Sequence, residues 1–122
     1  MRETRLTLRI DFGGRAAIGP GKARLLELIG EHGSISAAGR AMGMSYRRAW
    51  LLVDSLNRAF RNPLVTTQIG GSSGGGAVLT PDGRTVLEHY RAVEAEAETA
   101  VAERLHALTA MLSDEGSGET GS

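Results

Sequence analysis

The chain contains no cysteine and three histidines among its 122 residues. The first absence removes disulfide frameworks and thiolate zinc sites. The histidines, His32, His89 and His106, are too dispersed for metal-ligand spacing, so neither a metal nor another cofactor is expected. With no cysteine and no serine in a nucleophile-elbow motif, covalent catalysis has no candidate residue, and the chain is not expected to be an enzyme. Long apolar runs are also missing. The opening residues MRETRLTLRIDF alternate charged and apolar positions, which suits neither a signal peptide nor a membrane span. A cytoplasmic protein with no membrane partner is the expectation. The length suits one domain with a modest core.

An excess of either charge is lacking too, with 14 Lys/Arg against 14 Asp/Glu. The charges are nevertheless segregated. Residues 1–80 hold eleven basic and five acidic residues, net +6, whereas residues 81–122 hold three and nine, net −6. Such a split suits a basic binding face carried on an acidic, solvated element.

The most informative stretch is Ser34–Phe60, SISAAGRAMGMSYRRAWLLVDSLNRAF. Ser34 is a helix cap, and Ile35, Ala38 and Met42 follow at one-face spacing. Gly43 can adopt the left-handed conformation that ends a helix. Ser45 is a second cap, after which Ala49, Val53, Leu56 and Phe60 line the buried side of a longer helix. Tyr46, Arg47 and Arg48 are left in its exposed first turn. Two helices around a tight turn, the second opening with polar and basic residues, form the helix-turn-helix pattern, whose second helix enters the DNA major groove by its N-terminus.

Upstream, Leu6, Leu8, Ile10 and Phe12 alternate with polar residues as in a half-buried strand ended by Gly13-Gly14. Gly19-Pro20-Gly21 opens a helix with Leu25, Leu26, Leu28 and Ile29 on its buried side, closed by Gly33. Downstream, Asn62-Pro63 stops the second helix of the motif. Strands over Leu64–Ile69 and Ala77–Thr80 then flank the glycine-rich stretch from Gly70 to Gly76, which describes a wing. The first strand is expected to pair with this hairpin, since an isolated hairpin is only marginally stable. A phosphate-cradling P-loop is excluded for the glycines: no Gly-Lys-Ser/Thr ending is present and no helix follows directly.

Thr80 caps the last helix with Pro81 at its first position. Val86, Tyr90, Val93, Ala97, Val101, Leu105, Leu108 and Leu112 recur every three or four residues, predicting one unbroken helix on the order of 45 Å long. That exceeds what a small core can cover. Tyr90, Val93, Ala97, Val101, Leu105 and Leu108 are therefore the candidate interface of a homodimer, which would set two DNA-reading helices roughly 34 Å apart on a pseudo-palindromic operator. The fold class is mainly α with a small antiparallel sheet. It comprises a winged helix-turn-helix over residues 1–80, a long dimerisation helix over 81–112, and a disordered tail over 113–122.

Gly33-Ser34-Ile35-Ser36-Ala37-Ala38, Gly43-Met44-Ser45-Tyr46-Arg47, Ala49-Trp50 and Gly74-Gly75-Gly76-Ala77-Val78-Leu79-Thr80 together resemble the N-terminal DNA-binding domain of ModE-type, molybdate-responsive transcriptional regulators. They are more distantly similar to LysR-type winged helices. The resemblance runs over roughly residues 6–110, and the combined motifs are specific where a single one is not. It implies a dimeric winged helix that binds double-stranded DNA through the second helix of the motif and the wing. Family members that sense molybdate carry a separate oxyanion-binding module with no counterpart here. Molybdate sensing is thus not implied, and no small-molecule effector is assigned. The family wing often holds a lysine where this chain has Ser72 and Ser73, leaving hydroxyls and backbone N–H groups for phosphate. Arg48 stands where members often carry a small residue.

The candidate DNA contacts are Ser34, Ser36, Ser45, Tyr46, Arg47, Arg48, Ser72 and Ser73. Arg47 and Arg48 suit guanine edges or phosphates. Ser45 is a cap and a phosphate donor, and Ser34 and Ser36 begin the helix that crosses the backbone. Tyr46 suits a base methyl, a phosphate or a buttress for the turn. Lys22 and Arg24 suit either phosphate contacts or plain exposure. Trp50 is expected to pack between helices or against the dimer helix rather than stack on DNA. The alternative from another class is a winged-helix module for protein interaction or ligand sensing, with the acidic final helix as its working surface.

Overall fold

A computed structural model describes residues 4–68 and 76–114. Three helices form its centre. Helix α1 (Pro20–His32) opens on a proline whose missing N–H costs nothing in the first turn, and it ends at Gly33, φ 70°, whose N–H bonds Ile29 O at 2.8 Å. Helix α2 (Ile35–Ala41) follows and packs on α1, and α3 (Tyr46–Ala59) packs on α2. Leu25, Leu26 and Ile29 of α1, Leu56 of α3 and Leu64 beyond it are fully buried, each contributing about 1.5–3 kcal/mol of transfer free energy.

Strands β3 (Val65–Gln68) and β4 (Gly76–Leu79) pair antiparallel, from Val65 opposite Leu79 to Gln68 opposite Gly76. These are the two wing strands expected from the sequence. Residues 69–75 between them, including Ser72 and Ser73, lie outside the described residues, as does the tail from 115 on. Strand β4 is tied to the centre by Ala77 N–H bonding Gly33 O at 2.9 Å.

The N-terminal strand differs from expectation. Its regular part is only β1 (Ile10–Asp11), and it pairs with β2 (Ala17–Ile18) rather than with the wing, so the described residues form two separate two-stranded sheets. The reason is local. Gly13 and Gly14 both have positive φ, 59° and 85°, and Arg15 N–H bonds Phe12 O at 3.0 Å, turning the chain straight back on itself. The pair that was expected to terminate the strand instead builds a hairpin, and Phe12 stacks edge-on against Phe60 at 5.2 Å.

The last helix is also not continuous. Helix α4 (Pro81–Ala100) and α5 (Ala102–Ala110) meet at Val101, φ −107° and ψ 11°. Val101 is β-branched, and its stiff side chain disfavours helical interiors slightly. The α4 N-terminus is built as expected: the Thr80 hydroxyl accepts Gly83 N–H at 2.9 Å. Tyr90 departs from the expected partner-facing stripe. It is 1% exposed, inside the protomer's own core, and its hydroxyl donates to Leu8 O at 2.8 Å. One turn of α4 is thereby committed to holding the N-terminal segment. Arg91 secures the same helix to α1, with Nε 2.9 Å from Glu27 Oε2 and Nη1 2.8 Å from Glu94 Oε1. Among the described residues, no helix is long and apolar enough to cross a membrane.

Gly83 lies so close to the Leu64 carbonyl that a Cβ there would overlap it, whereas a Cβ on Gly21 meets nothing within 4 Å. Gly83→Ala is therefore expected to destabilise the fold by about 1–3 kcal/mol, while Gly21→Ala leaves it unchanged or more stable by up to about 1 kcal/mol. Urea denaturation of the two variants checks this, and equal midpoints would reject the close approach. Hydrogen bonding from Arg91, and to a lesser degree from Arg24, holds the Glu27 carboxyl below its ordinary range against the opposing effect of burial. A lowered folded pKa gives stability that is present above the unfolded value and lost as pH falls through the folded one. Wild type should then exceed Glu27→Gln by no more than about 1 kcal/mol at pH 7, the difference shrinking as pH falls below the ordinary glutamate value of about 4.3. Thermal melts across that range provide the measurement.

Candidate nucleic-acid interface

The geometry of the helix pair follows from small residues at its elbow. Ser34 caps α2 by accepting Ala37 N–H at 3.0 Å. At Gly39 the two helices touch, where a Cβ would stand 3.1 Å from Ala49 Cβ. Gly43 takes φ +73°, and Met44 N–H returns to Gly39 O at 2.9 Å. Ser45 then starts α3 by accepting Arg48 N–H at 3.1 Å. Ala49, Val53 and Leu56 are buried, so Tyr46, Arg47 and Arg48 are necessarily presented outward, and all three are exposed.

Electrostatics favour an anion at this tip. The first turn of α3 contains no acidic residue, and among the described residues neither Arg47 nor Arg48 pairs with a carboxylate. The unpaired N–H groups of the turn add a partial positive charge. Ser36 lies on α2, where its hydroxyl accepts from Arg40 Nη1 at 2.9 Å. Arg40 is an exposed cation that the sequence reading left out, although its spacing four residues after Ser36 was a signal for a shared helix face. Beside Arg48 an open groove brings in Arg9 and Lys22 from the N-terminal hairpin and α1. Lys22 donates to Ala17 O at 2.9 Å, and burial, then the nearby Arg9 charge, push its ammonium pKa down. Arg9 is itself paired with Asp11 at 2.9 Å. Arg24 is turned elsewhere, onto Glu27 and Glu31.

Trp50 does not pack inside the protomer as expected: it is 42% exposed, between Tyr46 at 55% and Leu51 at 46%. Of the remaining residues expected at a dimer interface, Val93 and Leu108 are exposed on α4 and α5, and Ala97, Val101 and Leu105 are half-buried. Leu105 lines a groove whose other side is Thr4, Arg5 and Leu6, so part of that stripe faces the chain's own N-terminal segment.

Residues 21–84, from the start of α1 through the wing to the start of α4, match the pattern described as bacterial regulatory helix-turn-helix protein, lysR family. The chain belongs to that family. It is similar to the molybdenum-pterin-binding protein MopB of Rhodobacter capsulatus, 48% identical over 66% of this chain and 30% of that protein. It is also similar to the molybdenum transport protein ModE of Azotobacter vinelandii, 39% identical over 86% of this chain and 39% of the relative. The transcriptional regulator ModE of Haemophilus influenzae is 33% identical over 82% of this chain and 39% of its own length. The motif resemblance seen in the sequence therefore has counterparts along most of the chain, and none of these names is that of an enzyme. The chain spans between three- and four-tenths of the length of these relatives.

Capping by Ser45 is what orders the family's second helix at its outward end. Ser45→Ala is expected to cost about 1 kcal/mol and Ser45→Asp, which retains an acceptor, much less. Hydrogen exchange at the Arg48 amide should accelerate in the alanine variant alone. Unchanged protection there would remove the cap from the account.

Proposed function

We propose that this chain is a sequence-specific, DNA-binding transcriptional regulator that works as a homodimer in the cytoplasm. Helix α3 enters the major groove by its N-terminal turn, and the glycine-rich wing lies on the backbone. The carrying observation is the tip of α3: Tyr46, Arg47 and Arg48 stand outward, without a carboxylate partner among the described residues, on a helix held in place by Gly39, Gly43 and Ser45. Arg47 reads a guanine edge or a phosphate. Arg48 contacts phosphate, a role supported by the Lys22 and Arg9 that line the adjoining groove with it. Ser34, Ser36 and Ser45 contribute hydroxyls and helix N-termini to the backbone. Family membership and relatives named as transcriptional regulators support the same reading.

Dimerisation is assigned to α4 and α5. Val93, Leu108, Met111 and Leu112 remain exposed along these helices, an apolar edge that a second copy would cover. The operator is then pseudo-palindromic, its half-sites separated by about one DNA turn, ~34 Å. The acidic character of the same helices supports a second reading, in which they engage another protein and DNA is not bound directly.

Arg47→Ala is expected to weaken operator binding about 5- to 150-fold, the equivalent of ~1–3 kcal/mol for a guanine contact, with dimerisation unchanged. Footprinting of genomic sites supplies the operator; gel shift and sedimentation supply the two readouts. An unaltered shift would remove Arg47 from the interface and favour the protein-binding alternative.

A further inference from the structure

We infer that Leu51 is a specificity-determining residue that reads thymine C5-methyl groups. The inference rests on the reading that α3 enters the major groove, and goes beyond it by naming the base and the side chain.

Leu51 has no role in the fold. It follows Ala49 by two positions, about 200° around a helix of 3.6 residues per turn, which turns it away from the buried Ala49, Val53 and Leu56. Single exposed apolar side chains are ordinary. This one stands in a row with a cation: Leu51 follows Arg47 by four residues, while Trp50 follows Tyr46 by four on the adjoining row, so three large apolar groups are exposed within two turns of one helix. The chain's one tryptophan and one of its two tyrosines are spent here, outside the core.

The surrounding charges decide what covers this patch. Arg47 and Arg48 border it and have no acidic partner among the described residues. The acid on the outer side of the helix, Asp54, is engaged by Arg58 at 3.2 Å and does not repel an anion. An apolar side chain in one row with an unengaged cation fits a polyanion that offers an apolar group between its phosphates. In the major groove the thymine C5-methyl is that group. A leucine has neither donor nor acceptor. Set against any other base edge it would leave a buried polar atom unpaired, which disfavours that base as well as favouring thymine. Leu51 lies ~6 Å along the axis from Arg47, so the thymine stands about two base steps, at ~3.4 Å each, from the base or phosphate that Arg47 holds.

Replacing operator thymines one at a time by deoxyuridine tests this, because only the methyl is removed. Fluorescence anisotropy should show a loss of about fourfold at one thymine per half-site, equivalent to ~0.8 kcal/mol for one buried carbon, and about sixteenfold when both half-sites are changed. Leu51→Ala, at an exposed position, should fold normally by circular dichroism, bind more weakly, and no longer distinguish thymine from uracil there. Leu51→Met should retain the distinction, and so should Arg47→Ala. Equal affinity of wild type for both bases at every position would overturn the inference and leave the DNA-binding reading intact. A wild-type chain that binds no operator at all would overturn both.

Discussion

The backbone of Leu64 is the point on which the orientation of the whole binding face depends. Its N–H and that of Val65 are both taken by Asn57 Oδ1, at 2.8 and 3.1 Å, while Asn57 Nδ2 returns to Val65 O at 3.0 Å. Its carbonyl receives Thr80 N–H at 2.9 Å, and Gly83 has no side chain to displace it. Thr80 Oγ1 donates to the neighbouring Pro63 O at 2.7 Å while capping α4. The end of α3, both wing strands and the start of α4 are thus fixed around one peptide. Each neutral bond contributes only about 0.5–1.5 kcal/mol, but leaving any of these groups unpaired in the interior costs more than the bond gains. Helix α3 and helix α4 are consequently set as one rigid unit, and whatever fixes α4 also fixes the direction of the α3 tip.

That knot was only half legible in the sequence. The Thr80 cap was readable, because capping acts within three residues and leaves a local signature. So were Ser34, Ser45, Gly33 and Gly43, and the periodicity that buried Ala49, Val53 and Leu56. Asn57 was not, because its partners lie seven and eight residues on, across a turn whose geometry spacing alone does not give. The same distinction separates the other outcomes. Gly13-Gly14 was recognised as a break, but a strand with glycines after it does not say which strand it will meet. Two glycines between apolar segments were in fact the hairpin signal. Tyr90 falls in register with Val93 and Ala97, and periodicity cannot tell a residue that faces its own core from one that faces outward. The choice is made by the Leu8 carbonyl, 82 residues away in sequence. Trp50, one position off the buried stripe, was read toward packing between helices or against a dimer helix; within the protomer it is exposed.

The binding tip itself was read almost entirely from local rules. A cap at Ser45 and a buried face through Ala49 leave Tyr46, Arg47 and Arg48 no inward position. What the sequence did not disclose was their company: Arg40 on the preceding helix, Arg9 beside the already suspected Lys22 across the groove, and Leu51 one turn below. These residues come from four separate segments, and their convergence is a property of the fold.

A chain with no net charge is an unexpected candidate for binding a polyanion, and the arrangement of its charges bears on that conflict. Nine of its fourteen acids lie beyond residue 80. Glu94, Glu96 and Glu98 stand ~20 Å or more along α4 from its start, against a Debye length of about 8 Å at physiological ionic strength. Among the described residues Arg47 and Arg48 pair with no carboxylate and the first turn of α3 holds no acid, so the tip acts as a small local cation. Such a tip makes few phosphate contacts, and sequence-independent affinity grows with their number. On the proposed reading, weak general attraction leaves the base-edge contacts of α3 to supply a larger share of the binding free energy. In that situation a leucine exposed in the middle of a DNA-facing helix becomes an economical device. It adds discrimination through one methyl without adding another charge, and so without raising affinity for every other sequence.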